Sequence, residues 1–318
     1  LDGKGQKMSK SLGNVITPEE ILKTLGADIL RWWAASSDYS EDIRISKEIL
    51  DRGADAYRKT RNTLRFLLGA LADFDPAKDS VAHAELAPLD RWVLDAFGRM
   101  AREVRDAYTR FEFLRATQAL LSFCQLELSG RYFEIIKDRL YCDALDSPRR
   151  RSCRQACWEL AQGLCTLLAP VMSFTADEAW EQIPGCSGSV HEQRFPETSG
   201  AAVDPKWERL WEVRGAVQAA MEPHRAAKTI GTSLDAAVEI TLNQTEWDLL
   251  DGLGESLDDL LVVSSIARIA DSSAAVAPIV TVATHQGTKC PRCWNRKGGH
   301  GKGEDAALCI RCATVVAG

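Results

Sequence analysis

Apolar residues recur at intervals of three and four through much of the first half of the chain. That spacing places them on one face of an α-helix, so it predicts a helix bundle over residues 46–200. Breaks that contain Pro76, Pro148 and Pro170 divide the bundle into separate helices. The clearest periodic runs are Leu64, Leu67, Leu68 and Leu71; Leu121, Cys124, Leu128, Tyr132 and Ile135; and Cys157, Leu160, Leu164 and Leu167.

Polar residues at two points predict where helices begin. Thr17–Glu20 places a capping hydroxyl, a proline and a glutamate in the order of a capping box, which predicts a helix that ends at Gly26. A second short helix is predicted over Ala27–Ser36. Thr175 and Glu178 repeat the capping spacing and predict another helix start.

The pattern changes after the bundle. One more helix is predicted around Trp207–Met221. Alternation over Ala236–Leu242 predicts a β-strand, and the apolar runs Leu260–Val263 and Ile279–Val282 predict further strands. The predicted fold class is therefore mainly α, with a helix bundle followed by a small α/β module over residues 201–285.

The tail, residues 286–318, has too few large apolar residues to form a core of its own. Its two Cys-x-x-Cys pairs, Cys290 with Cys293 and Cys309 with Cys312, are separated by 15 residues, which is the spacing of a zinc site with four thiolate ligands. Four sulfurs complete a tetrahedron and leave no position for water. We therefore expect one structural zinc ion that folds the tail, with two disulfides or four idle thiols as the alternative.

Composition narrows the function class. The 318-residue chain has 45% hydrophobic and 26% charged residues and a net charge of -6, which is typical of a globular protein and excludes a uniformly basic nucleic-acid-binding protein. The sequence contains no run of about 18 apolar residues that could span a membrane. Most of the ten cysteines are scattered through helical pattern, which favours a reducing compartment. We expect a monomeric, cytoplasmic protein without membrane contact.

Lys7–Ser11 is a polar loop directly before the first predicted helix. Two ammonium groups and two hydroxyls are suited to hold a polyphosphate and to stabilise charge on a phosphoryl group. The Gly-x-x-x-x-Gly-Lys arrangement of a P-loop is absent. Taken alone, such residues are usually interpreted as a flexible, solvated loop.

This pentapeptide resembles the Lys-Met-Ser-Lys-Ser signature of class I aminoacyl-tRNA synthetases, and the chain resembles that family over nearly its whole length. Other segments resemble the family's helical anticodon-binding domain. The four-cysteine tail is similar to that of the bacterial-type isoleucyl-tRNA synthetases among the Ile, Val, Leu and Met relatives. The segments that carry the resemblance are Gly26–Arg31, Ala35–Tyr39, Tyr57–Leu68, Ile135–Tyr141 and Ser173–Trp180.

The resemblance implies ATP-dependent attachment of isoleucine to tRNA(Ile) in two steps, through an isoleucyl-adenylate. It implies that residues 1–45 are the end of the catalytic domain, with the signature loop and connecting helices, and that residues 46–200 are the anticodon-binding domain. Lys10 is expected to bind ATP and Lys7 to support it, so both are catalytic candidates. Ser9 and Ser11 are expected to assist at the same nucleotide. Besides zinc, the expected cofactors and partners are ATP with magnesium, isoleucine and tRNA(Ile).

The family's second signature, His-x-Gly-His, is not found in the chain. The resemblance also places a nucleotide-binding fold and an inserted editing domain ahead of Leu1. We therefore expect this chain to be the C-terminal portion of the ligase, which binds tRNA and supplies the signature loop but is inactive alone.

Basic residues cluster at three places on the predicted helices and once in the tail, and each cluster is a candidate contact for tRNA phosphates. Arg58, Arg61 and Arg65 share one helical face. Trp294 offers an aromatic surface on which a base can stack. A solvated or ion-paired surface is the alternative for each cluster. The remaining candidates are Lys137, Arg139, Arg149 and Arg150, and the tail adds Lys289, Arg292, Arg296, Lys297, Lys302 and Arg311.

Two other interpretations remain open. One is a valyl- or leucyl-tRNA synthetase, which the four-cysteine tail disfavours. The other is a free-standing zinc module that binds tRNA or another nucleic acid without catalysis, because similar four-cysteine tails occur in DNA-repair glycosylases.

Overall fold

The computed structural model of the chain describes residues 1–197, 201–271, 277–301 and 303–317. Within these residues the structure is mainly helical and contains one three-stranded sheet, which confirms the predicted fold class. None of the helices in the described ranges is both long enough and apolar enough to cross a bilayer.

The helices and strands are numbered in chain order. The α-helices are α1 (Pro18–Thr24), α2 (Ala27–Ala35), α3 (Lys47–Ala70), α4 (Pro76–Asp79), α5 (Pro88–Thr109), α6 (Phe113–Ser122), α7 (Phe133–Cys142), α8 (Pro148–Leu168), α9 (Ser173–Trp180), α10 (Pro205–Ala226), α11 (Gln244–Asp251), α12 (Leu257–Leu261) and α13 (Ile310–Ala317). Phe123–Tyr132, between α6 and α7, is wound as a π-helix. The strands are β1 (Ala236–Leu242), β2 (Ser265–Ala270) and β3 (Ile279–Thr284).

The chain forms two compact units, each built from separate stretches of sequence. The first unit comprises Leu1–Ala84, Val93–Tyr132 and Arg154–Ala201, and the second comprises Glu85–Trp92, Phe133–Cys153 and Ala202–Gly318. The sequence analysis divides the chain into four consecutive domains by their expected roles. The two units are defined by packing alone, so they do not test that division, and it stays a prediction.

The core of the first unit includes leucines of the predicted helical runs. Leu67, Leu128, Leu160, Leu164 and Leu167 have no exposed surface. Burial of a leucine side chain stabilises a fold by about 1.5–3 kcal/mol, so these positions decide which face of each helix turns inward.

The start of the first unit follows the predicted capping signal. Thr17 Oγ1 accepts a hydrogen bond from the Glu20 amide at 3.4 Å, and the Glu20 carboxylate accepts one from the Thr17 amide at 3.5 Å, so the capping box at the start of α1 is confirmed. Gly26 separates α1 from α2 with a φ of 88°, a left-handed conformation that favours glycine.

The predicted helix start at Thr175 is wrong. Helix α9 begins at Ser173, and its cap residue makes no side-chain hydrogen bond to the helix. The buried carboxylate of Asp28 on α2 takes that role by accepting the amides of Phe174 at 3.3 Å and Thr175 at 2.8 Å. Thr175 therefore lies in the first turn of α9, where its hydroxyl also donates to Asp28 at 2.7 Å.

The second unit contains the sheet, in the order β2-β1-β3. The central strand β1 is parallel to β2, with Val238 opposite Ile266, and antiparallel to β3, with Val238 opposite Val282. The α11–α12 segment makes the crossover that parallel neighbours require. The predicted alternation in β1 is confirmed, because the side chains of Ala236, Val238, Ile240 and Leu242 are buried.

The prediction of a strand at Leu260–Val263 is wrong. These residues fall at the end of α12 and in the turn after it, where Val262 adopts a left-handed φ of 56°. The strand β2 begins only at Ser265. A short apolar run fits a buried strand and a buried helical turn equally well, and periodicity cannot separate them.

Candidate functional site

Four cysteine sulfurs meet in the tail of the second unit. The Sγ atoms of Cys290, Cys293, Cys309 and Cys312 all lie within 4.8 Å of one another, and all four residues are buried free thiols. The sulfurs of Cys293 and Cys309 are 3.8 Å apart. That distance equals the edge of a tetrahedron with metal–sulfur bonds of about 2.3 Å, so the four residues fit a closed four-sulfur metal site.

Two tight turns aim these sulfurs inward. In the first turn the Trp294 amide donates to the Cys290 carbonyl at 2.9 Å, and the Cys290 amide donates to the Asn295 carbonyl at 2.9 Å. Trp294 itself has a φ of 65°, which is uncommon for a bulky residue. In the second turn the Cys312 amide points at the Cys309 sulfur at 3.4 Å, at the start of α13.

The glycine-rich spacer lets the two turns approach each other. Gly298 donates its amide to the Thr288 carbonyl at 2.7 Å, and Gly299 donates to the Ala307 carbonyl at 3.2 Å. A Cβ atom at position 298 would lie 2.6 Å from the Ala307 carbonyl oxygen. Only glycine fits there, so the backbone at 298–299 can bond to both Thr288 and Ala307 and bring the two turns together.

Arg292 fixes the first turn electrostatically. Its guanidinium donates to the Cys142 carbonyl and lies 3.7 Å from the Cys312 sulfur. Burial alone would raise the pKa of Cys290, but hydrogen bonds from the backbone of Cys293, Cys309 and Arg292 outweigh burial and lower that pKa. Burial raises the pKa of Cys293 and of Cys312. Deprotonation of all four thiols therefore requires the positive charge of a bound metal ion.

Cys142 is a fifth buried thiol that packs against the four-cysteine cluster. Its sulfur donates to the Arg292 carbonyl at 3.7 Å and is not one of the four that converge. Burial raises the pKa of Cys142 to about 12, so this thiol stays protonated. It completes the packing around the centre without being a ligand candidate.

Arg296 connects the tail to the sheet of the second unit. Its amide donates to Ser264 Oγ at 2.8 Å, and its guanidinium donates to Asp235 Oδ1 from Nε at 2.9 Å and from Nη2 at 2.6 Å. Burial would raise the pKa of Asp235, but the bonds from Arg296 and from the Thr232 and Gly231 amides lower it to about 2. The carboxylate is therefore charged at neutral pH and holds the tail in place.

The signature loop lies at the start of the first unit. The side chains of Lys7 and Lys10 are exposed, while Ser9 is half-buried. Ser9 Oγ accepts the Leu12 amide at 3.3 Å and lies 3.1 Å from Ser11 Oγ. The two hydroxyls thus shape a short turn, and the two ammonium groups are left accessible to an anion.

The three arginines predicted on one helical face lie exposed along α3 in the first unit. Arg58 forms an exposed ion pair with Asp55 at 2.6 Å, and such a pair costs little to exchange for a phosphate. Arg61 and Arg65 continue the same face. This cluster is available to a polyanion.

Two predicted contacts are structural residues instead. Arg139 has no exposed surface; its guanidinium donates to Glu255 at 2.9 Å and lies 3.8 Å from Asp90. Arg150 is also buried and donates from Nε to the Leu140 carbonyl at 3.1 Å. A phosphate cannot reach either guanidinium, because both are inside the second unit, so both leave the set of candidate tRNA contacts.

The other candidates of the second unit lie at its surface. Lys137 is exposed, and Arg149 is half-buried in ion pairs with Asp259 at 2.9 Å and Asp143 at 3.4 Å. The Trp294 side chain is 55% exposed, with Lys289 Nζ 5.3 Å from its ring centroid. Lys302, a further basic residue of the tail, lies outside the described residues.

The second unit also contains a cleft that sequence reasoning missed. Its volume is about 1160 Å³, and it is lined by α7, the start of α8, the segment 232–234, α12 and the tail. Lys137, Tyr141 and Trp294 line it, and Tyr141 is 63% exposed. No local signal could have found the cleft, because its walls come from distant parts of the sequence.

Comparison with known proteins places these features in a family. A profile described as "Anticodon-binding domain of tRNA ligase" matches residues 90–240, and one described as "tRNA synthetases class I (I, L, M and V)" matches residues 1–46. All of the chain aligns, at 41% identity over 336 positions, with the isoleucine–tRNA ligase of Cronobacter sakazakii (strain ATCC BAA-894). The chain belongs to the class I tRNA synthetases.

This synthetase chain spans about a third of its curated relative, 36% of that protein's length. Among solved structures it is similar to the ternary complex of Agrobacterium radiobacter K84 agnB2 LeuRS-tRNA-LeuAMS. That match has 16% identity, covers 85% of this chain and 32% of the other, and has a TM-score of 0.47.

Some of the candidate residues fall inside the two family matches and others fall outside them. The signature loop falls in the match over residues 1–46, and Lys137 and Arg149 fall in the match over residues 90–240. The four-cysteine tail lies outside both ranges. The case for a metal there therefore depends on the geometry of its sulfurs.

Proposed function

We propose that this chain is part of an isoleucine–tRNA ligase, which attaches isoleucine to tRNA(Ile) at the expense of ATP. The observation that carries the proposal is the 41% identity with an isoleucine–tRNA ligase along the entire chain. The exposed lysines of the signature loop and the converging cysteines support it.

In the first step of this reaction, the carboxylate of isoleucine attacks the α-phosphate of ATP and displaces pyrophosphate. Lys10 binds the phosphates and Lys7 supports it, because exposed ammonium groups on a loop stabilise the negative charge that develops during transfer. Ser9 and Ser11 shape the turn that carries Lys10. Magnesium accompanies ATP as its counterion. The aminoacyl group then passes to the terminal ribose of tRNA, and this chain contributes to that step by positioning the tRNA.

The metal of the tail is zinc in this proposal, held by the four cysteine thiolates. A closed four-sulfur site suits zinc in a structural role, and the tail has little apolar core apart from the cysteines and Leu308. When bound, the ion supplies folding free energy to the tail. A cytoplasmic location stays part of the proposal, because a reducing compartment keeps such thiols available.

Contacts to tRNA are proposed at two surfaces. In the first unit, Arg58, Arg61 and Arg65 follow one face of α3 and suit the phosphate backbone. In the second unit, Lys137 and Trp294 border the cleft, where Arg149 adds a positive charge. A monomeric state stays a prediction.

Pyrophosphate exchange tests the proposed activity. In the full-length synthetase that contains this chain, Lys10→Ala should slow isoleucine-dependent exchange between ATP and pyrophosphate by about 100-fold or more, on the scale of losing one charge-stabilising group. Lys23→Ala, an exposed lysine on α1, is the matched control and should leave the rate unchanged.

The same assay separates the alternatives. Pyrophosphate exchange that depends on valine or leucine instead of isoleucine would indicate a valyl- or leucyl-tRNA synthetase. A protein that binds tRNA but supports no exchange with any amino acid would favour a binding module without catalysis.

A further inference from the structure

Two side chains close the signature loop of the first unit at its base. Asn14 Nδ2 donates to Asp2 Oδ2 at 3.0 Å, which joins the residues on either side of the segment 3–13. Both residues are half-buried, whereas Lys7 and Lys10 between them are exposed. The pair therefore acts at the base of the loop and leaves its lysines unobstructed.

Asp2 organises the first half of the loop with its other oxygen. Asp2 Oδ1 accepts the Lys4 amide at 2.9 Å and the Gln6 amide at 2.8 Å. The Gln6 amide, followed by the Asn14 side chain, lowers the pKa of Asp2. The carboxylate is therefore ionised at neutral pH and serves as an acceptor for three donors.

Asn14 organises the second half. Its Oδ1 accepts the Ser9 amide at 3.0 Å, and its Nδ2 lies 3.4 Å from the Lys7 carbonyl. These two backbone groups flank Met8, whose side chain packs against the buried cluster of Ile21, Ile45 and Leu50. One amide side chain thus fixes the backbone on both sides of the apolar anchor.

The orientation of this amide is set by its partners. The carboxylate of Asp2 accepts only, so the nitrogen of Asn14 must face it, and the oxygen of Asn14 is then directed at the Ser9 amide. Neither aspartate nor alanine at position 14 can make both contacts. Position 14 therefore requires a side chain that both donates and accepts, and neither bond involves the ammonium group of Lys7 or Lys10.

We propose that Asn14, oriented by Asp2, is the positioning residue that holds the signature loop in the conformation that presents Lys7 and Lys10 to a triphosphate. The inference rests on the proposed function for its consequence in catalysis. Asn14 touches no phosphate in this role, since it acts only through the backbone of Lys7 and Ser9.

The decisive variant is Asn14→Asp, which keeps the size of the side chain and turns its donor into an acceptor 3.0 Å from Asp2 Oδ2. Two carboxylates in that position repel each other, so the base of the loop should open. The rescuing double variant, Asp2→Asn with Asn14→Asp, reverses the donor and the acceptor. It keeps an acceptor for the Lys4, Gln6 and Ser9 amides, and it loses only the donor that lies 3.4 Å from the Lys7 carbonyl. Asn62→Asp, at an exposed position on α3, controls for the added charge.

The first measurement is hydrogen–deuterium exchange of the loop peptide in the 318-residue chain, with a thermal melt to confirm folding. Asn14→Asp should raise the exchange rate of the loop amides by roughly three- to tenfold, the factor expected for losing one hydrogen bond. The double variant should recover part of the lost protection, because it restores the bond between positions 2 and 14 but not the donor to the Lys7 carbonyl. Asn62→Asp should not change the exchange rate.

The second measurement is pyrophosphate exchange in the full-length synthetase. Asn14→Asp should lower kcat by roughly three- to tenfold and leave the KM for isoleucine unchanged, because the loop addresses the nucleotide and not the amino acid. The double variant should have a higher kcat than Asn14→Asp alone. A residue with a merely structural role would not give this split together with the rescue.

The two proposals fail in different ways. If Asn14→Asp leaves loop exchange at the original rate, or if the double variant exchanges as fast as Asn14→Asp alone, the positioning role is overturned whatever the enzyme activity. If loop exchange responds as expected but Lys10→Ala does not affect pyrophosphate exchange, the proposed ATP-binding function fails while the closure of the loop stands.

Discussion

Arg139 shows how burial changes the role of a basic side chain. The sequence places it beside Lys137 on α7, with the same charge and nearly the same neighbours. The structure separates the two, because Arg139 faces Glu255 and Asp90 inside the second unit and Lys137 faces solvent. Position on a helix face, and not charge, decides which of them can meet a phosphate.

Replacing Arg139 should therefore affect stability. Arg139→Met removes the buried cation that faces the Glu255 and Asp90 carboxylates, and loss of one partner of a buried pair costs about 3–5 kcal/mol. Urea unfolding at fixed zinc concentration measures the change. Lys137→Ala is the control and should shift the free energy of unfolding by at most about 0.5 kcal/mol. Unchanged stability with lost tRNA binding in Arg139→Met would restore the interpretation made from sequence.

Arg61 should behave in the opposite way. Arg61→Ala removes an exposed charge from α3, so it should weaken tRNA binding and reduce the slope of log affinity against log salt concentration by about 1. Arg115→Ala, which removes an arginine already paired with Glu103 at 3.1 Å, is the control and should leave the slope unchanged. Equal slopes for both variants would contradict a phosphate contact at Arg61.

Among the elements, the tail depends most on a ligand. Cys309→Ser removes one of four converging sulfurs, so it should release the metal and unfold the tail. Zinc content by atomic absorption and proteolysis of the tail measure both effects. Cys142→Ser is the matched control, because its sulfur is buried against the cluster without belonging to it. One zinc ion per chain retained in Cys309→Ser would refute the site.

The elements that could be predicted from sequence are those whose signals are local. The capping box of Thr17 and Glu20 and the two cysteine pairs each connect residues within three positions, so the chain's own geometry brings them together. The start of α9 could not be predicted, because its cap is Asp28, 147 residues from Thr175. The strand at Leu260–Val263 failed for a different reason, since hydrophobicity alone did not distinguish it from a helical turn.

In the whole molecule, too, the candidate residues that could be predicted are those with a local sequence signal. The loop lysines and the four cysteines were predicted as candidates from motifs. The cleft of the second unit was not predicted, because its walls come from α7, the start of α8, the segment 232–234, α12 and the tail. Which arginines are buried could not be predicted either, because burial follows from packing between distant segments.

At this scale we expect the isolated chain to bind tRNA without catalysis. Binding should weaken steeply as salt rises, because several phosphate contacts release counterions. Filter binding between 50 and 200 mM salt checks the slope, and the exchange assay on the same sample should show no turnover. Pyrophosphate exchange by the pure chain would contradict the proposal that it binds tRNA but cannot form the adenylate alone.

The ion pair between Arg296 and Asp235 links the stability of the sheet to metal binding in the tail. Arg296 of the tail bonds Asp235, the residue directly before the central strand β1, so a metal that binds only the folded tail should also stabilise the start of that strand. The free energy of unfolding of the second unit should then rise by about 1.4 kcal/mol for each tenfold increase in free zinc above the dissociation constant. If the proposed ion is zinc, a cell starved of zinc should lose the second unit to proteolysis before the leucine-rich helices of the first unit.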